Sequence, residues 1–218
     1  MRRFSTLALV GVGVLLSSCG GNKAARTAEG SVTGPIQIAL DLKDSSRSFG
    51  VLPRGEERMI FKVGYGKHGV TCPGSRFEEG YTPLGHFKVN AILSNGRFAM
   101  DPALIRQSGK SEAELRRTLF KSMNAIDFSG DGEVGEYGIG YVSLAPIGGV
   151  KQPFRFNTYD GKFRWYSFAI HGSNDDKRIG QKVTGGCVNV AEPALKTLLS
   201  SVQLGDEVVI SANGPCTP

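Results

Sequence analysis

The stretch Phe168-Ala169-Ile170-His171-Gly172-Ser173-Asn174, with Thr184-Gly185-Gly186-Cys187-Val188-Asn189-Val190 shortly after it, carries the densest information in the chain. An apolar, β-prone run delivers His171, and a glycine turn delivers Cys187. A free thiol with a pKa near about 8.5 is only slightly ionised at neutral pH. An adjacent imidazole can hold it as thiolate and later return the proton to a leaving amine. Gly185 and Gly186 have no side chains, so the backbone can turn sharply and aim the amides of Gly186 and Cys187 at a developing oxyanion. By residue type alone, the same pattern also describes a structural turn beside a buried thiol.

Working outward, the chain from Pro35 onward is a series of short β-branched and aromatic runs punctuated by Gly and Pro. Ile36 to Leu42, Arg58 to Tyr65, Gly85 to Leu93, Phe163 to His171 and Glu207 to Ser211 read as strands. Alternation in Ile36-Gln37-Ile38-Ala39-Leu40 suits a half-buried sheet. Two segments read as helices. Ser111-Glu112-Ala113-Glu114 has the form of a capping box, and Leu115, Leu119 and Met123 then form one apolar stripe. Glu192 to Val202 has Pro193 in its first turn and Leu195, Leu198 and Leu199 facing inward. Asp127 to Glu133 has the oxygens of half a calcium loop, but Gly138 stands where a bidentate Glu would be needed. The segment reads as an Asp/Gly turn, and no metal site is expected.

At the N-terminus, Met1-Arg2-Arg3, an apolar run from Leu7 to Leu16 and the small residues before Cys19 have the zones of a secretory signal. The run of about 10 residues is too short for a bilayer-spanning helix, which takes roughly 20. Leu16-Ser17-Ser18-Cys19 looks like a bacterial lipobox, which implies acylation of Cys19 and a lipid-anchored domain at the envelope or periplasm; an ordinary signal peptide cut nearby is the plainer alternative. The expected division is a signal peptide at 1–18, a lipidated N-terminus and flexible linker at 19–35, and one domain at 36–213. Loss of 1–18 removes Arg2 and Arg3 and no acid, lowering the formal charge from +6 by two, to +4. No Lys/Arg cluster is interleaved with aromatics, so nucleic acid is a poor fit as partner.

The four cysteines are Cys19, Cys72, Cys187 and Cys216. With Cys19 acylated, three remain in an oxidising compartment, and one is unpaired. Cys72, in a Pro/Gly turn, and Cys216, near the C-terminus, have the loop-like surroundings in which a bridge forms easily, so a Cys72–Cys216 disulfide is expected; two free thiols or a different pairing are the alternatives.

With these residues in view, the chain resembles the L,D-transpeptidase catalytic domain, the YkuD family. That family carries His-Gly, a gap of about 14 to 17 residues, then Ser/Thr-His-Gly-Cys with Asn or Arg two places on. His171-Gly172 precedes Thr184-Gly185-Gly186-Cys187-Val188-Asn189 at that spacing. Tyr81-Thr82-Pro83-Leu84-Gly85-His86-Phe87 looks like the family's Thr-Pro-x-Gly-x-Phe strand, and Leu204-Gly205-Asp206-Glu207-Val208 is similar to its closing strand. The resemblance implies a mainly β fold, a mixed β-sheet sandwich or barrel, with one or two helices and an inserted helical segment at about 94–135. That insertion reads either as a lid over the cleft or as a surface excursion.

Carried over by residue, the resemblance implies Cys187 as nucleophile, His171 as general base and Gly172 as the carbonyl that orients the imidazole. Gly186 and Cys187 would supply oxyanion amides, while Thr184, Gly185 and Asn189 would shape the pocket. Gly185 departs from the family's usual His. The implied chemistry is acyl transfer on peptidoglycan stem peptides with no cofactor, and with inhibition by carbapenems. A hydrolase on the same fold and a catalytically weak wall-binding lipoprotein are the rival expectations.

Overall fold

The computed structural model describes residues 31–148 and 154–218, so the expected signal peptide and Cys19 lie outside the described residues. Among the described residues the elements run β1 (Ile36–Leu40), β2 (Phe49–Arg54), β3 (Glu57–Gly66), β4 (Gly69–Thr71), β5 (Tyr81–Pro83), β6 (Gly85–Ser94), β7 (Phe98–Met100), α1 (Pro102–Ser108), α2 (Glu112–Asn124) and β8 (Gly140–Pro146). They continue with β9 (Arg155–Tyr159), β10 (Lys162–Tyr166), β11 (Phe168–His171), β12 (Lys182–Thr184), β13 (Val188–Val190), α3 (Glu192–Ser201) and β14 (Glu207–Ala212).

Hydrogen bonding follows β3-β13-β11-β8-β6-β14-β1-β2, and β2 pairs back onto β3, so eight strands close into a barrel. The sheet is mixed: β1 with β14 and β11 with β13 are parallel, and the other ring pairs are antiparallel. The alternation read in the sequence does the sorting, since Ile36, Ile38 and Leu40 of β1 are buried while Gln37 is exposed. An eight-stranded ring is just wide enough to be filled by its own side chains, and Val63, Val89, Val142, Ile170, Val188 and Val208 help fill it.

A second core lies on the outer side of this wall. Ala91 and Leu93 of β6, Tyr141 of β8 and Ala169 of β11 pack there with Leu115, Leu119, Phe120 and Met123 of α2 and with Trp165 of β10. Each fully buried side chain of this kind contributes roughly 1.5–3 kcal/mol. The helical segment expected as an insertion is therefore packed against the barrel by its apolar stripe. Its capping box is half formed: Ser111 Oγ accepts from the Glu114 amide at 3.2 Å, while the Glu114 carboxylate turns to Lys110.

The stretch Phe163 to His171, read as one strand, is two. It breaks at Ser167, whose carbonyl accepts from the Tyr141 hydroxyl at 3.0 Å and whose hydroxyl meets Ser143 Oγ at 3.0 Å. Side chains thus replace the ladder, and β10 leaves the barrel to form a hairpin with β9. The turn of that hairpin is Asp160-Gly161, both at positive φ (49° and 68°), the geometry that matches strand twist. Helix α1 also escaped the sequence reading; Asp101 caps it and Gly109 closes it at φ 69°.

Candidate active site

β11 ends on His171, and the turn between β12 and β13 carries Cys187. Because β11 and β13 are parallel neighbours, with His171 opposite Asn189, residues sixteen positions apart reach the same end of the barrel. The turn is pinned from both sides. Thr184 Oγ1 donates to the Cys187 carbonyl at 2.6 Å and accepts from the Gly186 amide at 3.2 Å. Thr82, on β5, donates to the Gly186 carbonyl at 2.7 Å and accepts from the Gly66 amide at 2.9 Å. Gly186 sits at φ 126°, and a Cβ there would fall 2.6 Å from the Tyr81 carbonyl, so only glycine fits.

His171 Nδ1 lies 2.6 Å from the Gly172 carbonyl. A carbonyl only accepts, so Nδ1 carries the proton and the neutral ring keeps its lone pair on Nε2. The ring is held edge-on by Tyr137, with centroids 4.9 Å apart. Burial lowers the His171 pKa to about 4, against a smaller upward pull from the Gly172 carbonyl. Burial likewise raises the Cys187 thiol to about 12, and the Ala169 backbone opposes this only weakly. Both groups are thus neutral at rest, and the thiol's own hydrogen-bond partner is the Ser167 carbonyl at 3.9 Å.

From an ordinary value of about 8.5 to 9.0, a rise to about 12 leaves at least about a thousandfold less thiolate at neutral pH. Iodoacetamide alkylation of Cys187, followed by peptide mass spectrometry, is expected to be that much slower than that of a free thiol and to rise tenfold per pH unit beyond pH 9. A plateau below pH 8 would contradict it.

Cys187, His171, Thr184, Gly185 and Asn189 line one cavity of about 320 Å³, while Gly172 and Gly186 adjoin it through their backbone groups. Residues without any motif complete it: Glu79 from the segment before β5, Phe128, Glu136 and Tyr137 from the turn after α2, and Tyr159, Arg164, Trp165 and Tyr166 from the hairpin. The segment expected as an insertion at about 94–135 therefore supplies Phe128 to the wall as well as packing on the barrel. Glu136 accepts from the Phe128 and Ser129 amides at 2.6 and 2.8 Å and pairs with Arg178 at 3.4 Å. Asp127 is consumed by its own turn, accepting from Gly130 and Gly132 at 2.6 and 2.7 Å. Arg164 lies over the rings of Tyr159, Phe128 and Tyr166 at 4.6 to 5.7 Å.

Among the segments that bring these residues, Asp127 to Glu133 was legible as a turn, and the hairpin carried a local signal, Asp160-Gly161, that the sequence reading did not use. His68 and His86 lie elsewhere, the first against Tyr81 and the second 2.7 Å from Glu207. Trp165 is buried, stacked on Phe156. Cys72 and Cys216 are joined by a disulfide away from the cavity, and the tail beyond β14 is bridged to β4 there. Among the described residues no helix is long and apolar enough to cross a membrane.

Residues 37–210 match the sequence model of the L,D-transpeptidase catalytic domain, YkuD. No curated protein sequence matches the chain. Among solved structures it is similar to an L,D-transpeptidase from Mycobacterium smegmatis, at 14% identity over 81% of this chain and 58% of that one, with a TM-score of 0.38. It is also similar to one from Xylanimonas cellulosilytica, at 14% identity over 82% and 61%, with a TM-score of 0.35. A third is L,D-transpeptidase 3 from Mycobacterium tuberculosis in complex with a faropenem-derived adduct, at 10% identity over 81% and 60%, with a TM-score of 0.42. The chain spans about three-fifths of the length of these structures.

Proposed function

The chain belongs to the YkuD family of L,D-transpeptidase catalytic domains, and from that premise we propose that it is a cysteine acyltransferase acting on peptidoglycan stem peptides. The observation that carries the reading is the sharing of one cavity by a thiol and an imidazole whose Nδ1–H is committed to the Gly172 carbonyl. That commitment leaves Nε2 as the proton acceptor.

In the proposed cycle, Cys187 attacks the carbonyl of the diamino acid in a tetrapeptide stem as its proton passes to His171. Since both groups rest neutral, transfer accompanies attack and no stored thiolate is needed. The C–N bond to the terminal D-alanine breaks, His171 protonates the leaving amine, and a thioester remains on Cys187. An amine from a neighbouring stem then displaces the sulfur, with His171 moving the proton back. The Gly186 amide is already engaged by Thr184 Oγ1, so the oxyanion meets the Cys187 amide first. Arg164, which has no carboxylate partner among the described residues, is suited to the stem's terminal carboxylate.

We also propose, from the lipobox-like residues, that acyl chains on Cys19 hold the domain at a membrane surface of the envelope. The test of the activity is incubation with tetrapeptide-rich sacculi. Wild type is expected to release D-alanine and to gain the mass of a carbapenem on Cys187. The Cys187→Ala variant is expected to do neither; release that persists in it would sink the reading. The products, cross-linked or hydrolysed, report whether amine or water is the acceptor.

A further inference from the structure

The family resemblance leads to an expectation of His at position 185, where this chain has Gly185; its backbone is outside the positive-φ region, so it is not conformation that requires a glycine here. What it supplies is room. A Cβ at this position would lie 2.4 Å from Glu79 Oε1, and the Glu79 carboxylate fills the space that a side chain would take. The two segments are tied at this point, since the Gly80 amide donates to the Gly185 carbonyl at 2.8 Å. Glu79 Oε2 accepts from the Tyr166 hydroxyl at 3.3 Å.

The charges of the cavity are unevenly matched. Arg178 is paired with Glu136, and Arg164 is held over aromatic rings. Among the described residues no lysine or arginine pairs with Glu79. Its negative charge is felt at the reacting sulfur, where it works with burial to keep the thiol protonated, and at Tyr166, pushed up to about 12 by burial and by Glu79. A carboxylate without a counter-ion beside a nucleophile does nothing for thiol ionisation. It is well suited to a cation arriving after the thiol has been acylated.

We propose that Glu79, in the space cleared by Gly185, is the specificity-determining residue that receives the ammonium group of an amine acceptor at the Cys187 thioester. The inference rests on the cysteine acyltransferase reading above and narrows it from any acceptor to a cationic amine. The ammonium binds at Glu79 and gives one proton to solvent. Its nitrogen lone pair then forms the C–N bond as the C–S bond breaks, and the second proton passes through His171 to the departing sulfur. The products are an amide and the neutral thiol.

The test uses the full chain with a tetrapeptide donor and two competing nucleophiles, a stem tripeptide with a free side-chain ammonium and hydroxylamine, which is uncharged at neutral pH. Glu79→Gln keeps an acceptor for Tyr166 but removes the charge. It is expected to lower the ratio of tripeptide to hydroxylamine product by roughly two- to fivefold, as a rise in KM for the tripeptide; the exposure of Glu79 keeps the effect in that range. Glu79→Asp should restore part of the ratio. Gly185→Ala, which drives the carboxylate from its place, should follow Glu79→Gln.

An unchanged ratio, or equal losses with both nucleophiles, would overturn the proposal while D-alanine release by wild type leaves the acyltransferase reading standing. Absence of D-alanine release by wild type would overturn both.

Discussion

Replacing His171 by Gln is expected to slow acylation of Cys187 by about three orders of magnitude while the fold is retained, the usual weight of a positioned general base. Gln can still donate toward the Gly172 carbonyl, which His171 Nδ1 meets at 2.6 Å, but it cannot take a proton. The loss therefore measures proton transfer more than packing. A pH profile sharpens the test. A base works in its deprotonated form, and burial lowers the folded-state value from 6.5 to about 4. The acid limb of acylation should then fall near pH 4, with little change between pH 7 and pH 5. Single-turnover acylation by a tetrapeptide or a carbapenem is the measurement. A loss under tenfold in His171→Gln, with an unchanged melting temperature, would remove His171 from the chemistry.

The second large effect is on stability. Cys72 and Cys216 are separated by 144 positions, so their bond closes the chain from the end of β4 to the tail beyond β14 into one loop, with β1 to β4 outside it. Chain-entropy reasoning gives about 5 kcal/mol for a loop of this length, and measured losses of native disulfides run about 2–5 kcal/mol. The Cys72→Ala/Cys216→Ala pair is expected to lose about 3–5 kcal/mol in denaturant unfolding. Activity should suffer as well, for a local reason. The Cys72 amide donates to the Thr217 carbonyl at 2.7 Å, which docks the tail on β4. β4 pairs with β5, and β5 carries the Thr82 that holds the Gly186 carbonyl beside the nucleophile. D-alanine release should thus decline at temperatures where the barrel itself is still folded. Unfolding within about 1 kcal/mol of wild type would show that the tail is held by its backbone bonds alone.

Much of the frame was legible from residue order. Alternation in Ile36 to Leu40 and the stripe Leu115, Leu119, Met123 each announce a buried face, because side-chain direction repeats every two residues in a strand and about every 3.6 in a helix. Glycine at 186 was legible as a turn, since the requirement for a missing Cβ is local. The break at Ser167 was not. It depends on hydroxyls of Tyr141 and Ser143, residues far off in the chain that replace the ladder bonds.

By itself, then, the sequence determined five of the eight barrel strands, β1, β3, β6, β11 and β14, together with the helical stripe and the candidate thiol and imidazole; β2, β8 and β13 were not read from it. Only the tertiary structure decided what surrounds them. Glu79, Glu136 and Arg164 carry no motif and reach the cavity from three separate segments. The neutral state of the Cys187–His171 couple likewise comes from burial, a property of everything packed around two groups rather than of the groups themselves.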